Sequence, residues 1–278
     1  MRDPLEEAVN LRRRGEKAAL CTVVRVSGST PGREAMRMAV RADGTFVGTV
    51  GGGRFEEDVR RAALLTMDDE KCRSLVFELT EDDEAEPGLV CGGTLEVFVE
   101  PLTVPRLAVL GAGHLGQAVA RAAGPAGFRV TVADDRASHA TRDRFPGAAA
   151  VLALPWEEAF EVLPADGTSY VVIVTRSCAM DEKCLEWALR SDARYVGMIG
   201  SSRKIGKARE RLESRGVPAS AFDRLHAPVG LDLGARTHEE IAISIVAELV
   251  AVRRMGASPR PAGPARLAKG AASKAGKA

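Results

Sequence analysis

Leu107-Ala108-Val109-Leu110 runs directly into Gly111-Ala112-Gly113-His114-Leu115-Gly116, and a helical pattern follows. A GxGxxG element is weak alone, but between a strand and a helix it restricts the fold sharply. In that setting Gly111 permits the tight turn, Gly113 lets the backbone approach a pyrophosphate, and Gly116 allows close helix–strand packing. The helix N-terminus would offer free N–H groups and a positive dipole to phosphates. The surrounding pattern agrees. Short apolar strands are expected at 106–110, 129–133, 149–152, 169–174 and 195–199, with helices at 114–123, 139–144, 156–162 and 181–190. Such alternation predicts a doubly wound parallel sheet of the Rossmann-like kind, with helices on both faces.

Asp134 falls at the end of the second of these strands, where an acid can accept hydrogen bonds from both ribose hydroxyls. That position favours NAD over NADP, and Arg136 two residues on blurs the preference. A nucleotide-free Rossmann-shaped domain is the competing reading.

The first hundred residues read differently. Residues 4–17 suggest an amphipathic helix with Leu5, Val9 and Leu11 on its apolar side. Strands are expected at 18–26, 36–41, 46–50, 75–79 and 95–99, with a helix at 55–67, a turn cluster at 27–32 and an acidic loop at 81–86. This is a mixed α/β domain. Pro101 and Pro105 bracket its end, dividing the chain into 1–102, 103–256 and a tail at 257–278. Thr237-His238-Glu239-Glu240 is a capping box that opens a long helix to about Arg253.

Two glycine loops in the first domain invite close approach of a ligand to the backbone. Gly51-Gly52-Gly53 follows a strand and precedes a helix carrying Glu56 in its first turn. A tight turn alone would explain the glycines, and Glu56 suits the helix dipole without a ligand. Cys91-Gly92-Gly93 could present a thiol beside open N–H groups, able to coordinate a soft metal or handle sulfur. A small buried cysteine before a bulge is the alternative. Gly200-Ser201-Ser202-Arg203-Lys204 also follows a strand and opens a helix; cations there oppose the dipole, which an anion would relieve.

Composition narrows the function classes. Net charge is +1, but residues 253–278 carry seven basic residues and no acid, so the remainder sums to −6. With only 4% aromatics, neither a basic nucleic-acid surface nor a stacking platform is expected. The tail lacks apolar surface to offset its ordering entropy and reads as disordered. No stretch approaches a membrane span, and the start has no apolar signal core, so a cytoplasmic location without membrane association is expected. Five cysteines without CxxC or zinc spacing read as reduced thiols.

Taken together, six motifs in order resemble one family. Gly48–Glu56, Val90–Gly93, the GxGxxG loop, Tyr195–Lys204, His226–Gly234 and Thr237–Glu248 are similar to the XdhC/CoxI family. Its members are accessory factors of xanthine dehydrogenase and related molybdenum hydroxylases, and the likeness spans roughly residues 5–253. The resemblance implies a chaperone rather than a catalyst. Such a protein binds molybdenum cofactor, supports replacement of an oxo ligand by sulfur from a cysteine desulfurase, and delivers the cofactor to the apo-hydroxylase. It also implies a homodimer. The cofactor-binding candidates are Gly51, Gly52, Gly53, Glu56, Cys91, Gly92 and Gly93, with Cys91 as metal ligand. Gly111, Gly113, His114, Gly116, Asp134, Arg203 and Lys204 are candidates for an anionic ligand, a pterin phosphate or NAD(P).

Two departures stand out. Cys178 occupies the histidine place of the family's T-x-x-H-x-x-D pattern, with Asp181 retained. His238 stands where proline is common, a change read as structural. The alternative function is an NAD(P)-dependent oxidoreductase. Against it, none of the four histidines (114, 139, 226, 238) sits in a recognisable acid–base constellation. A third reading is a structural adaptor with both pockets empty. Pterin and dinucleotide forms of the cofactor are not distinguished.

Overall fold

The structure, a computed structural model, describes residues 3–78 and 92–256. The acidic loop at 81–86, Cys91 and the tail at 257–278 lie outside the described residues. Two sheets follow one another along the chain.

The first is antiparallel, in the order β3-β2-β1-β5-β4. Its strands are β1 (Ala18–Ser27), β2 (Arg37–Arg41), β3 (Phe46–Gly48), β4 (Arg73–Glu78) and β5 (Thr94–Pro101). Strand β1 is central and alternates. Ala19, Cys21 and Val23 face a core closed by helix α2 (Gly53–Asp69), while Leu20 meets Ala39 and Ala8 of helix α1 (Pro4–Arg14). Burial pushes the Cys21 thiol up to about 12, so it packs as a small apolar side chain. Helix α1 departs from the expected face. Leu5 and Val9 are exposed, and the buried side is Glu7, Ala8 and Leu11. Glu7 goes inward because Arg41 of β2 forms a two-pronged pair with its Oε1 at 2.8 and 3.0 Å. A paired carboxylate thus fills a place that periodicity assigned to an apolar residue.

The second sheet is entirely parallel, in the order β11-β10-β9-β6-β7-β8. Its strands are β6 (Arg106–Leu110), β7 (Arg129–Asp134), β8 (Ala150–Ala153), β9 (Ser169–Ile173), β10 (Tyr195–Met198) and β11 (Leu225–His226). Renumbered from β6, this is the 3-2-1-4-5-6 order of the Rossmann fold, with the switch point between β6 and β9. Leu107 and Val109 of β6 point to helices α3 (His114–Ala123) and α7 (His238–Met255). Ala108 and Leu110 point to the other face, covered by α4 (Trp156–Val162), α5 (Cys178–Arg190) and α6 (Ser202–Ser214). Continuous apolar runs such as Ser169–Ile173, buried throughout, are what a strand covered on both faces requires.

The helix expected at 139–144 is instead a series of turns. Amide groups of His139 and Ala140 donate to Arg136 O, and Phe145 N donates to Thr141 and Arg142, closing turns that do not propagate. Helix α7 begins as the capping box dictates, with Thr237 and Glu240 bonding reciprocally. A 3-10 turn at Ala219–Arg224 and the two-residue strand β11 complete the sheet edge, which the apolar pattern did not reveal.

The halves meet through charge. Glu70, at the C-cap of α2, reaches Arg253 of α7 at 2.5 Å and Arg194 before β10 at 3.6 Å. Arg129 of β7 also donates to the Arg13 carbonyl of α1.

Candidate functional site

Tertiary folding gathers the first half's glycine loops at one end of the antiparallel sheet. The turn 27–32 lies between them. A Cβ on Gly28 would sit 2.9 Å from Gly92 O, and one on Gly32 would sit 2.5 Å from Val50 O. Gly93 is equally confined, 2.5 Å from Ser27 O. Gly51 (φ +135) would press on Gly32, so its lack of a side chain serves internal packing. Gly52 (φ +81), Gly53 (φ +76) and Gly92 differ, since a Cβ on any of them would meet nothing within 4 Å among the described residues. Those three are the positions where outside groups can approach bare backbone.

Glu56 organises this loop. Its Oε2 accepts from the Thr49 hydroxyl, from Val50 N at 3.0 Å and from Gly52 N at 3.1 Å. The carboxylate therefore fills amide donors that a phosphate would otherwise take, and acts as the loop's internal anion. Replacing Glu56 with alanine is expected to cost about 1–3 kcal/mol, the penalty of stranding partly buried amides. Urea unfolding checks the loss, with faster hydrogen exchange at the Val50 and Gly52 amides. Glu56→Gln, which keeps one acceptor oxygen, should lose less.

The second candidate region is the mouth of the parallel sheet. Gly111 (φ +121) brings the end of β6 against β9, where any Cβ would collide with Val174 O. Gly116 leaves room for Gly111 O, which a Cβ there would overlap. Gly113, the N-cap of α3, has open space before it. Gly113 borders a cavity of about 780 Å³. It draws on the carboxyl ends of β6, β7, β9 and β10, the place where open parallel sheets bind ligands.

Its lining is cationic. Arg136, Arg144 and Arg176 border it together with His114, His139 and His238, and no carboxylate does so among the described residues. Three of the chain's four histidines thus converge here from α3, the loop after β7 and α7. His114 stacks on His238, ring centroids 5.8 Å apart. Sequence spacing could not show this gathering, in which His238 lines the cavity as well as starting α7.

Asp134 is not presented to the cavity as a free acid. It is 2% exposed, and its Oδ2 accepts from Ala112 N at 2.7 Å and from Arg136 Nη2 at 2.8 Å. Oδ1 accepts from Arg136 N at 3.0 Å and Nε at 2.8 Å. Burial alone would raise its pKa, but the Arg136 and Ala112 hydrogen bonds outweigh that and bring it down to about 2.

Lys204 is likewise committed. Its Nζ donates to Asp181 Oδ2 at 2.5 Å, and Asp181 also accepts from Thr175 N and Oγ1. Burial opposes the ammonium charge, yet the Asp181 bond holds Lys204 above the usual lysine range, with Cys178 also beside it. The anion that relieves a cation at this helix start is therefore the protein's own carboxylate. Arg203 is exposed at the same turn.

His226, the fourth histidine, stacks on Tyr195 at 4.4 Å and faces Glu248 Oε1 at 3.4 Å. Glu248 is fully buried and accepts from Tyr195 OH and Gly230 N. This network pins the His226–Gly234 loop to α7, which explains why that motif and the following helix carry buried polar residues. Cys91, the expected metal ligand, lies outside the described residues. Among the described residues no group of three or more His, Cys, Asp or Glu could hold a metal ion. Nor is any described helix long and apolar enough to cross a membrane.

Comparison with known proteins gives two family matches. Residues 107–249 match the XdhC Rossmann domain, and residues 11–78 match the XdhC and CoxI family. Among individual proteins, uncharacterized protein YqeB of Escherichia coli (strain K12) is 34% identical over 249 residues, covering 89% of this chain and 46% of that protein. A Bacillus subtilis (strain 168) protein named as a probable xanthine dehydrogenase subunit is 32% identical over 165 residues, covering 58% and 47%. The chain thus spans about half the length of these two relatives. Molybdenum cofactor insertion chaperone PaoD of Escherichia coli (strain K12) is 26% identical over 286 residues, covering 90% and 87%. A crystal structure described as a xanthine dehydrogenase from Bacillus halodurans aligns with TM-score 0.49 and 23% identity, over 91% of this chain and 96% of that one. With matches to both halves, one of them alone spanning more than half its length, the chain belongs to the XdhC and CoxI family.

Proposed function

We propose that the chain is an accessory factor that binds molybdenum cofactor, supports its sulfuration and delivers it to a xanthine dehydrogenase-type hydroxylase. The observation that carries this reading is the meeting of two distant glycine loops at one sheet end, with Gly52, Gly53 and Gly92 facing open space among the described residues. Bare backbone of that kind suits a flat, polar pterin, which needs close approach and little side-chain bulk. Kinship with a protein named a molybdenum cofactor insertion chaperone supports the same reading.

In this role Gly52, Gly53 and Gly92 would contact the cofactor, Glu56 would hold the loop in its receptive shape, and Cys91 would lie beside the metal. When bound, the cofactor supplies the molybdenum whose ligand set sulfuration completes. A cysteine desulfurase is the proposed sulfur donor, the apo-hydroxylase the recipient, a homodimer the proposed assembly and the cytoplasm the proposed location. NAD(P) is the proposed second ligand, at the parallel sheet.

The test is cofactor retention. Chain loaded anaerobically with molybdenum cofactor is desalted, and pterin fluorescence after oxidation and molybdenum content are measured. Stoichiometric retention by the wild type and its loss in Cys91→Ala support both function and site. Equal retention by both keeps the function and removes Cys91 from the site. No retention by the wild type overturns the proposal.

A further inference from the structure

The cavity at the mouth of the parallel sheet has a selectivity that its glycine motif does not disclose. A carboxylate has about four lone-pair acceptor sites. On Asp134 four hydrogen bonds occupy them, from Ala112 N and from three nitrogens of Arg136. A ribose diol arriving at the end of β7 would find no acceptor there. Arg136 meanwhile spends Nε and Nη2 on Asp134, which holds the guanidinium in a fixed plane and leaves the Nη1 donors for a ligand. The result is the reverse of a diol-reading site. The acid is neutralised from the front, and an arginine stands where the sugar's 2′ position would lie.

The loop that follows adds further donors. Ser138, His139 and Arg144 line the same cavity beside Arg136. Its shape is held from two sides. Arg144 Nη1 donates to His139 O at 3.1 Å, and Gln117 of α3 donates to Arg144 O at 2.9 Å. Arg176, across the cavity, is oriented by Asp135 at 2.9 Å. Donors fixed in this way lose little entropy when an anion binds.

We propose that this cavity binds a dinucleotide carrying an extra phosphate on its ribose, and discriminates against the form that lacks it. The pyrophosphate lies over Gly113 at the start of α3, and the sugar phosphate is read by Arg136, Ser138 and Arg144. This assignment rests on the reading of NAD(P) as second ligand and is independent of the molybdenum-cofactor site, whose glycine loops belong to the other sheet.

Calorimetric titration of the full chain with NADP⁺, NAD⁺ and inorganic pyrophosphate tests it. NADP⁺ is expected to bind at least about tenfold tighter than NAD⁺, and tighter than pyrophosphate alone. Arg144→Ala should weaken NADP⁺ by about tenfold while leaving NAD⁺ unchanged. Arg136→Ala should weaken NADP⁺ and tighten NAD⁺, because it releases Asp134 to accept a diol; the gain for NAD⁺ is an outcome that loss of fold or of bulk charge does not produce. If that variant fails to fold by circular dichroism, the Arg144 comparison decides. Equal or tighter binding of NAD⁺ by the wild type overturns the proposal. So does pyrophosphate binding as tightly as NADP⁺, no binding of either dinucleotide at millimolar concentration, or an Arg144→Ala loss shared equally by both.

Discussion

Replacing Glu70 with alanine is expected to lower the unfolding free energy by about 3–5 kcal/mol, the cost of stripping one partner from a buried ion pair. Glu70 is 7% exposed and stands between Arg253 at 2.5 Å and Arg194 at 3.6 Å. The second separation is close enough for attraction but too long for a hydrogen bond. Nothing else among the described residues hydrogen-bonds Glu70 Oε1 or Arg194 Nη1. Without the carboxylate, two largely buried guanidinium groups repel each other beside the Tyr170 hydroxyl, which is also buried without a hydrogen bond among the described residues. Burial is the main reason the Tyr170 phenol is pushed up to about 12, so it does not ionise to take the carboxylate's place. Glu70→Gln, equal in size, should lose most of the same amount. Because Glu70 sits on α2 and both arginines on the parallel-sheet half, the variants should also cleave faster near residues 101–105 in limited proteolysis. An unfolding free energy unchanged to within about 1 kcal/mol in urea titration would show that the pair is replaceable by water.

Asp134→Asn should cost about 3 kcal/mol at neutral pH, through loss of the buried pair with Arg136 and weakening of the bond from Ala112 N. Part of that loss depends on pH, and its sign is set by the direction of the shift. The folded pKa of about 2 lies below the ordinary 3.8, so folding favours the ionised form. The resulting stabilisation, about 2 kcal/mol, is complete above the unfolded value and disappears as pH falls through the folded one. Roughly half is gone by pH 3. Urea unfolding of wild type and variant at pH 7 and pH 3 checks this. A stability gap that does not shrink in acid would mean that the carboxylate's charge contributes nothing there.

Much of the parallel half was legible in the chain because its signals are local. Gly116 answers a steric demand made by a carbonyl a few residues away and Gly111 one made by the end of the adjacent strand, while Gly113 stands before open space among the described residues. Helices 114–123 and 156–162 begin and end where apolar spacing and flanking residues say they should. The capping box at Thr237 is a contact over three residues. Expectation and structure part where a distant partner overrode the local pattern. Arg41 holds Glu7 on the inner side of α1 beside Ala8 and Leu11, leaving Leu5 and Val9 exposed. The segment 139–144 closes as separate turns, with Ala140 and Phe145 buried in the core.

The candidate sites divide along the same line. Sequence established the fold of both halves, the family, and the glycine loops at which backbone is laid bare, because each depends on spacing along the chain. Spacing carries no information about which charge meets which across 20 residues or more. Only the folded chain shows Ala112 N bonded to Asp134, Lys204 consumed by Asp181, and three histidines gathered with three arginines around one cavity. An ionisable residue acquires its role from its partners, and the partners here are supplied by strand order in a parallel sheet.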